Sequence, residues 1–345
     1  MYHIEKEIAE QPEVITRLLL EERENVALIV RAIREFNPAF VLIAARGTSD
    51  NAARYAQYLM GIKAKLPVAL AAPSIHTLYE AQPNMSKALV IGISQSGRSA
   101  DVNQVVIDAR AQGALTLTIT NNPDSPMALS AAHHICLRAG EEISVAATKT
   151  YTAQLTAIAM LGAALVDDGR MRDEIAELPG YAAATLNLAE DGGDRAERYR
   201  YMERIALIGR GYNYCTAFEI ALKIKELCYL VGEEYSEADF RHGPIAMIAP
   251  GFPVMVVAPS GATLPLLVDL LENLQERRAE CLVISDVAEV RQHGQYAMSL
   301  PTGIPEWLSP ICAVIPGQHF AMRLALAKGH SVDKPQGLSK VTITK

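Results

Sequence analysis

Two glycine turns and two serine–glycine pairs recur in this chain at the same spacing. Ala45-Arg46-Gly47 and Gly209-Arg210-Gly211 stand 164 residues apart, and so do Ser96-Gly97 and Ser260-Gly261. Each follows a short apolar run. Two coincidences at one offset indicate two copies of one structural unit. The runs are β-rich: Phe40 to Ala44 (FVLIA), Ala88 to Ile93 (ALVIGI) and Leu115 to Thr120 (LTLTIT) in the first copy, Arg204 to Ile208, Val254 to Val257 and Cys281 to Ser285 in the second. Helical patterns lie between them, such as the single apolar stripe Val102, Val105, Val106 and Ala109. Strand–helix–strand alternation predicts an α/β fold with parallel sheets covered by helices. A chain of 345 residues accommodates two such units. The expected division is an N-terminal helical segment over 1–34, a first domain over 35–170, a linker region over 171–200 that contains Asp191-Gly192-Gly193-Asp194, and a second domain over 201–345.

Composition narrows the class. Half the residues are hydrophobic and only 6% aromatic, so the core is aliphatic. The net charge is -7, and no long Lys/Arg run is present, which argues against nucleic acid as a partner. No apolar run reaches the roughly 18 residues of a membrane span. The N-terminus, MYHIEKEIAEQP, lacks the apolar core of a signal peptide. A cytoplasmic protein is expected. Cys136, Cys215, Cys228, Cys281 and Cys312 form no CxxC pair and sit in apolar surroundings, so buried reduced thiols are expected. Among the histidines, His133-His134 is a poor pair for one metal and no HxxxH or HxH spacing occurs, so no metal site is expected.

Three segments carry candidate chemistry. The first is Ile93-Ser94-Gln95-Ser96-Gly97-Arg98-Ser99, where a β-run ends and a helical pattern begins. Unpaired backbone N–H groups at a helix start favour an anion. Ser94, Ser96 and Ser99 add hydroxyl donors, and Gly97 allows close approach. An ordinary strand–turn–helix junction with an N-cap serine would look the same; a second turn, Gly47-Thr48-Ser49, after the neighbouring strand favours a site, because ligands in open α/β sheets sit beyond the carboxyl ends of strands. The second copy has Ala258-Pro259-Ser260 at the equivalent place, so one phosphate site per chain is expected. The second segment is the helix after Gly211, where Glu219, Lys223 and Glu226 share a face. Taken alone, that face is a solvated ion pair worth only ~0.3–0.5 kcal/mol. Downstream, His242 sits in a turn before Gly243-Pro244. The third segment is the tail Lys334 to Lys345, which follows a helix ending near Gly329. Taken alone, its Lys340 is a surface lysine.

Taken in order, these pieces resemble a family. Gly47-Thr48-Ser49, Ile93-Ser94-Gln95-Ser96-Gly97, Val145-Ala146-Ala147-Thr148-Lys149, Gly209-Arg210-Gly211, Leu222-Lys223-Ile224-Lys225-Glu226, His242-Gly243-Pro244 and Leu338-Ser339-Lys340 are similar to the double sugar-isomerase (SIS) region of glucosamine-fructose-6-phosphate aminotransferase. Lys6-Glu7-Ile8 with Glu10-Gln11-Pro12 resembles the start of that region. The resemblance implies two SIS domains, each a three-layer, flavodoxin-like parallel sheet flanked by helices. It implies a phosphate cradle of Ser94, Gln95, Ser96 and Ser99, and sugar contacts from Ser49, in the Gly47-Thr48-Ser49 turn, and from the Val145 backbone. It makes Glu226 the base that moves a proton between C1 and C2, with Lys223 beside it. His242 becomes the ring-opening acid/base, supplied by a neighbouring subunit of a homodimer or higher homo-oligomer, and Lys340 the tail lysine that meets the open ketose.

Two departures separate the chain from the aminotransferase: Arg98 stands where that enzyme carries Glu, and Ala147 where it carries Ser. The chain also begins where a glutaminase domain would end, so no glutaminase activity is expected. Ser-Gln-Ser-Gly-Arg-Ser resembles stand-alone SIS-type glucosamine-6-phosphate deaminases. The expected reaction is therefore glucosamine-6-phosphate and water to fructose-6-phosphate and ammonia, with no metal or redox cofactor. A phosphosugar deglycase or aldose–ketose isomerase is the alternative enzyme. A non-catalytic phosphosugar-binding regulator is the alternative of another class; such a protein needs the cradle but not Glu226, His242 and Lys340, and no helix-turn-helix segment flanks the domains.

Overall fold

A computed structural model describes residues 1–191 and 195–340. Within the expected linker, Gly192-Gly193-Asp194 lies outside the described residues, as does the end of the tail, Val341 to Lys345. The described chain contains ten strands in two five-stranded sheets. The first sheet holds β1 (Phe40–Ala44), β2 (Val68–Leu70), β3 (Ala88–Ser94), β4 (Leu115–Thr120) and β5 (His133–Cys136), and the second β6 (Arg204–Gly209), β7 (Val231–Ser236), β8 (Pro253–Val257), β9 (Glu280–Ser285) and β10 (Tyr296–Ser299). Their spatial orders are β2-β1-β3-β4-β5 and β10-β9-β8-β6-β7, and every pairing is parallel. Reversing the second order makes the two identical, and corresponding strands begin 163 to 165 residues apart. The duplication expected from the glycine turns is thus a duplication of the whole sheet.

This 2-1-3-4-5 order is the flavodoxin-like doubly wound arrangement. The chain leaves β1 towards one edge, then returns to place β3 on the other side of β1. Connections from these two strands diverge, leaving a crevice at their carboxyl ends. Burial follows the layering: all seven residues of β3 are buried, and the stripe Val102, Val105, Val106 and Ala109 of the helix Ala100–Ala111 packs on the sheet with no exposed surface. The helices Lys149–Val166 and Ser309–Ala327 are apolar on nearly every side and almost wholly buried, as expected of helices covered all round.

The described chain falls into two compact units. One comprises Glu13–Glu142, Lys149–Glu177 and the tail from Ser339, and holds the first sheet; the other comprises Met1–Pro12, Ile143–Thr148 and Leu178–Leu338, and holds the second. In the second unit Asp333 accepts the N–H groups of His3 and Ile4 at 3.1 and 3.0 Å, satisfying donors that the first helix, His3–Ala9, cannot pair internally. All five cysteines are buried thiols outside any disulfide.

Candidate active-site residues

In the first unit the switch point carries both predicted loops. Gly47 takes a left-handed φ of 54° between β1 and the helix Thr48–Leu59, so that Thr48 and Ser49 open that helix. The Ser49 hydroxyl is buried and accepts a hydrogen bond from Gln154 Nε2 at 2.9 Å. After β3, residues 94–99 turn into the helix Ala100–Ala111 with Ser99 at its N-cap. The hydroxyls of Ser94 and Ser99 lie 3.3 Å apart, Ser94 Oγ accepts from the Gly97 N–H at 3.2 Å, and Ser96 Oγ accepts from the Arg98 N–H at 3.3 Å. Gly97 has φ 65°, and a Cβ there would overlap the buried Ser125 hydroxyl, so only glycine fits. Ser94, Ser96 and Ser99 therefore surround a loop of backbone donors at a helix start, an arrangement suited to an anion. Arg46, half-exposed, pairs at 2.8 Å with Asp101, which is fully buried in the first turn of that helix.

The second unit repeats the loops but not their chemistry. Its β8 loop runs Ala258-Pro259-Ser260-Gly261, and carboxylates of the chain itself occupy the donors. Asp286 accepts from the Ser260 N–H at 2.7 Å and from its hydroxyl at 2.6 Å. Glu306 accepts from the Ala262 N–H at 2.9 Å, and its carboxyl fills the space a Cβ at Gly261 would need.

The helix Tyr214–Cys228 departs from the solvated face suggested by its spacing alone. Glu219 and Lys223 are 0% and 1% exposed at their side chains, whereas Glu226 keeps 22%. Lys223 Nζ lies 3.4 Å from Glu219 and 2.5 Å from Glu226. Ile220, Ile224 and Leu227, also fully buried, take the other face. Burial of Lys223 needs both apolar packing and a charge partner, because an unpaired buried ammonium costs several kcal/mol. One ammonium thus serves two carboxylates, and only Glu226 reaches solvent. His242 follows the short helix Glu237–Arg241 in the same unit and is exposed. Val145 lies in the 143–148 segment of this unit, where buried Glu7 accepts from the N–H groups of Ile143 and Ser144 and from the Ser144 hydroxyl.

Lys340 is likewise not the free surface lysine that its tail position suggests. In the first unit its ammonium lies 2.8 Å from Glu142 Oε2, and the Glu142 side chain is fully buried. The Thr150 N–H and hydroxyl donate to the same carboxylate at 3.1 and 2.8 Å. Glu142 is the residue that sequence reasoning missed: in Ala139-Gly140-Glu141-Glu142 nothing distinguishes it from a solvated loop acid. Its one available signal is position, just before Val145 to Lys149. Among the described residues no group of three or more His, Cys, Asp and Glu side chains is disposed to hold a metal ion, and no helix is long and apolar enough to cross a membrane.

The profile of a family described as "SIS domain" matches residues 38–164 and 199–328. Glutamine–fructose-6-phosphate aminotransferase (isomerizing) of Pyrococcus horikoshii is 32% identical over 341 residues, covering 97% of this chain and 56% of the relative. The chain thus spans little more than half the length of such relatives. The solved C-terminal domain of glucosamine-fructose-6-phosphate aminotransferase from Francisella tularensis superposes with a TM-score of 0.87 at 26% identity, over 97% of this chain and 98% of that domain. Glucosamine-6-phosphate deaminase from Thermotoga maritima shares the fold, with a TM-score of 0.80 at 21% identity over 99% of this chain and 100% of that one.

Proposed function

This chain belongs to the SIS-domain family, carries two copies of the domain and is homologous to the isomerase domain of glutamine–fructose-6-phosphate aminotransferase; from that premise we propose that it is a phosphosugar enzyme that converts glucosamine-6-phosphate and water to fructose-6-phosphate and ammonia. One observation carries the catalytic part of this reading: the buried Lys223 with Glu219 behind it and Glu226 at the solvent edge. A protein that only senses phosphosugars needs the serine loop. It gains nothing from burying an ammonium between two carboxylates, an arrangement that stabilises a fold weakly at best.

The serine loop holds the phosphate through Ser94, Gln95, Ser96 and Ser99. The turn Gly47-Thr48-Ser49 and the Val145 backbone contact the sugar. His242 donates and accepts the protons of ring opening. In the open aldehyde Glu226 takes the proton from C2 while O1 is protonated, giving an enolamine. Return of a proton to C1 leaves an imine at C2, which water hydrolyses, releasing ammonia and the ketose phosphate. Lys223 holds the Glu226 carboxylate in place through their ion pair. Lys340, anchored on Glu142, meets the ketose carbonyl end. A homo-oligomer in which His242 serves a neighbouring chain's site is part of the proposal.

Ammonia release from a panel of phosphorylated amino sugars and their unphosphorylated parents tests the reading. Turnover is expected with glucosamine-6-phosphate and not with glucosamine. Isomerisation of an amine-free phosphosugar without ammonia release would favour the aldose–ketose isomerase instead. Tight phosphosugar binding with no turnover on any member would leave a regulator and overturn the enzyme.

A further inference from the structure

The groups assigned to the phosphate loop are all neutral: the hydroxyls of Ser94, Ser96 and Ser99, the Gln95 amide and backbone N–H groups. A phosphate monoester carries about −1.5 to −2 charges at neutral pH, and a hydrogen bond from an ionised donor is roughly twice as strong as one from a neutral donor. The charge of such a ligand is therefore still unmatched. Two arginines belong to the loops of the first unit: Arg98, exposed within the serine loop, and Arg46, in the turn after β1.

Among the described residues no carboxylate holds Arg98, whereas Arg46 is held. Its Nε donates to Asp101 Oδ2 at 2.8 Å; half of its side chain stays exposed, and that of Asp101 is fully buried. Asp101 lies two residues past Ser99, the N-cap of the helix Ala100–Ala111, and its other oxygen accepts the Val102 N–H at 2.9 Å. Arg46 thus reaches from the β1 turn to the helix start that follows the serine loop, across the crevice in which open α/β sheets bind ligands. A guanidinium engaged through Nε keeps its two Nη groups for a second anion, in the fork geometry suited to phosphate. A pair with one half-exposed partner adds little stability by itself. Without Arg46, a phosphate here would meet the field of Asp101 and of Asp50, the second already paired with Arg54 at 3.1 Å.

A further feature of the same turn points to a ligand. Gln154, 1% exposed, donates to Ser49 Oγ, and its own Oε1 has no hydrogen-bond partner. Buried polar groups are nearly always paired, so a donor from outside the chain completes the site beside Ser49. The duplication supplies an internal control. Arg210 occupies the position of Arg46 in the second unit, but its Nη1 lies 3.4 Å from Glu237, at the start of the short helix after β7. In the duplicated order β7 corresponds to β2, and β8 to β3. Arg46 therefore turns towards the open serine loop, whereas Arg210 turns away from the loop that Asp286 and Glu306 fill. The arginine follows the anion site, not the fold.

We infer that Arg46 is a substrate-binding residue that supplies the positive charge of the phosphate site, and that Asp101 positions it. The inference rests on the phosphate loop of the proposed function and does not depend on the release of ammonia.

Calorimetric titration of the full-length chain with glucosamine-6-phosphate, and with inorganic phosphate as a second probe, tests this. Arg46→Met is expected to weaken both at least about tenfold, the loss of one charge-assisted contact, and to flatten the dependence of affinity on salt. Arg46→Lys should recover part of the loss. Because Arg46→Met removes the cation beside buried Asp101, the double variant Arg46→Met/Asp101→Asn, in which a neutral residue of the same shape replaces the acid, separates binding from folding. It should fold and still bind at least about tenfold more weakly than wild type. Wild-type affinity in either variant, or a loss confined to Arg98→Met, would overturn the assignment, and a wild type that binds neither probe would overturn it together with the phosphate loop. Weakened binding in Arg46→Met supports the inference even where the wild type releases no ammonia; that result would count against the deaminase reading alone.

Discussion

At the scale of single residues, the Glu219–Lys223–Glu226 row separates structural from chemical roles. Lys223→Met would remove the ammonium that pairs with buried Glu219, and breaking a buried pair typically costs about 3–5 kcal/mol. Glu226→Gln leaves Lys223 with Glu219 and keeps nearly the same volume, so a loss of at most about 1 kcal/mol is expected. Denaturant unfolding of the two variants should show this ordering. Equal losses would mean that Glu226 is as structural as Glu219. The sequence showed these three residues on one face but not that the face was buried, because charged spacing alone does not reveal what packs over it. Lys340 and Glu142 make the same point: the two lie 198 residues apart, and no local pattern connects them.

His319 supplies a prediction of a different kind. In the unfolded chain a histidine takes up a proton near pH 6.5; burial delays this to about 4 in the fold. Between those values the unfolded state binds more protons, so the His319 contribution is fully present above about 6.5, declines as the pH falls, and levels off below about 4. At 1.36 kcal/mol per pH unit the loss amounts to roughly 3 kcal/mol. Burial lowers His134 as well, which adds in the same direction. Unfolding free energies measured between pH 7 and 4 should fall less steeply in His319→Leu than in wild type. Parallel curves would show that the ring is not the buried neutral group described.

At the scale of elements, the strands legible in the sequence were the central ones. β1, β3, β4, β6, β8 and β9 are buried, aliphatic runs, and each was found within about a residue of its bounds. The four edge strands were not. β2 has three residues, β5 reads His-His-Ile-Cys, β7 reads Val-Gly-Glu-Glu-Tyr-Ser, and β10 is half-buried. Edge strands face another strand on one side only, so their sequences need neither length nor continuous apolarity. The serine loop was legible because its glycine and hydroxyls are local. Its support was not: the Ser125 hydroxyl that excludes any side chain at position 97 comes from a separate helix start. Gly97→Ala should therefore distort the loop. A left-handed φ and an overlap together should cost about 2–4 kcal/mol, and phosphosugar affinity measured by calorimetry should fall at least tenfold. Wild-type affinity in this variant would mean that the loop does not grip the phosphate.

At the scale of the whole molecule, duplication followed by divergence describes the chain. Two copies of one sheet keep the same strand order, yet one copy retains an open serine loop while the other fills its loop with Glu306 and Asp286. The second copy contributes instead the helix with Lys223 and Glu226. The division of the chain into units was less legible than the duplication, since residues 1–12 belong with the second sheet and the tail from Ser339 with the first; linear boundaries cannot express such an exchange of ends. The proposed chemistry requires that proton transfer at Glu226 precede ammonia loss. Glucosamine-6-phosphate incubated with the enzyme in heavy water and followed by NMR tests this most directly. Wild type should yield fructose-6-phosphate carrying solvent deuterium at C1, with ammonia in equal amount. Glu226→Gln should bind the substrate normally but turn over at least about 10²-fold more slowly, without deuterium incorporation. Wild-type turnover and labelling in Glu226→Gln, or binding by wild type with no conversion, would contradict the account.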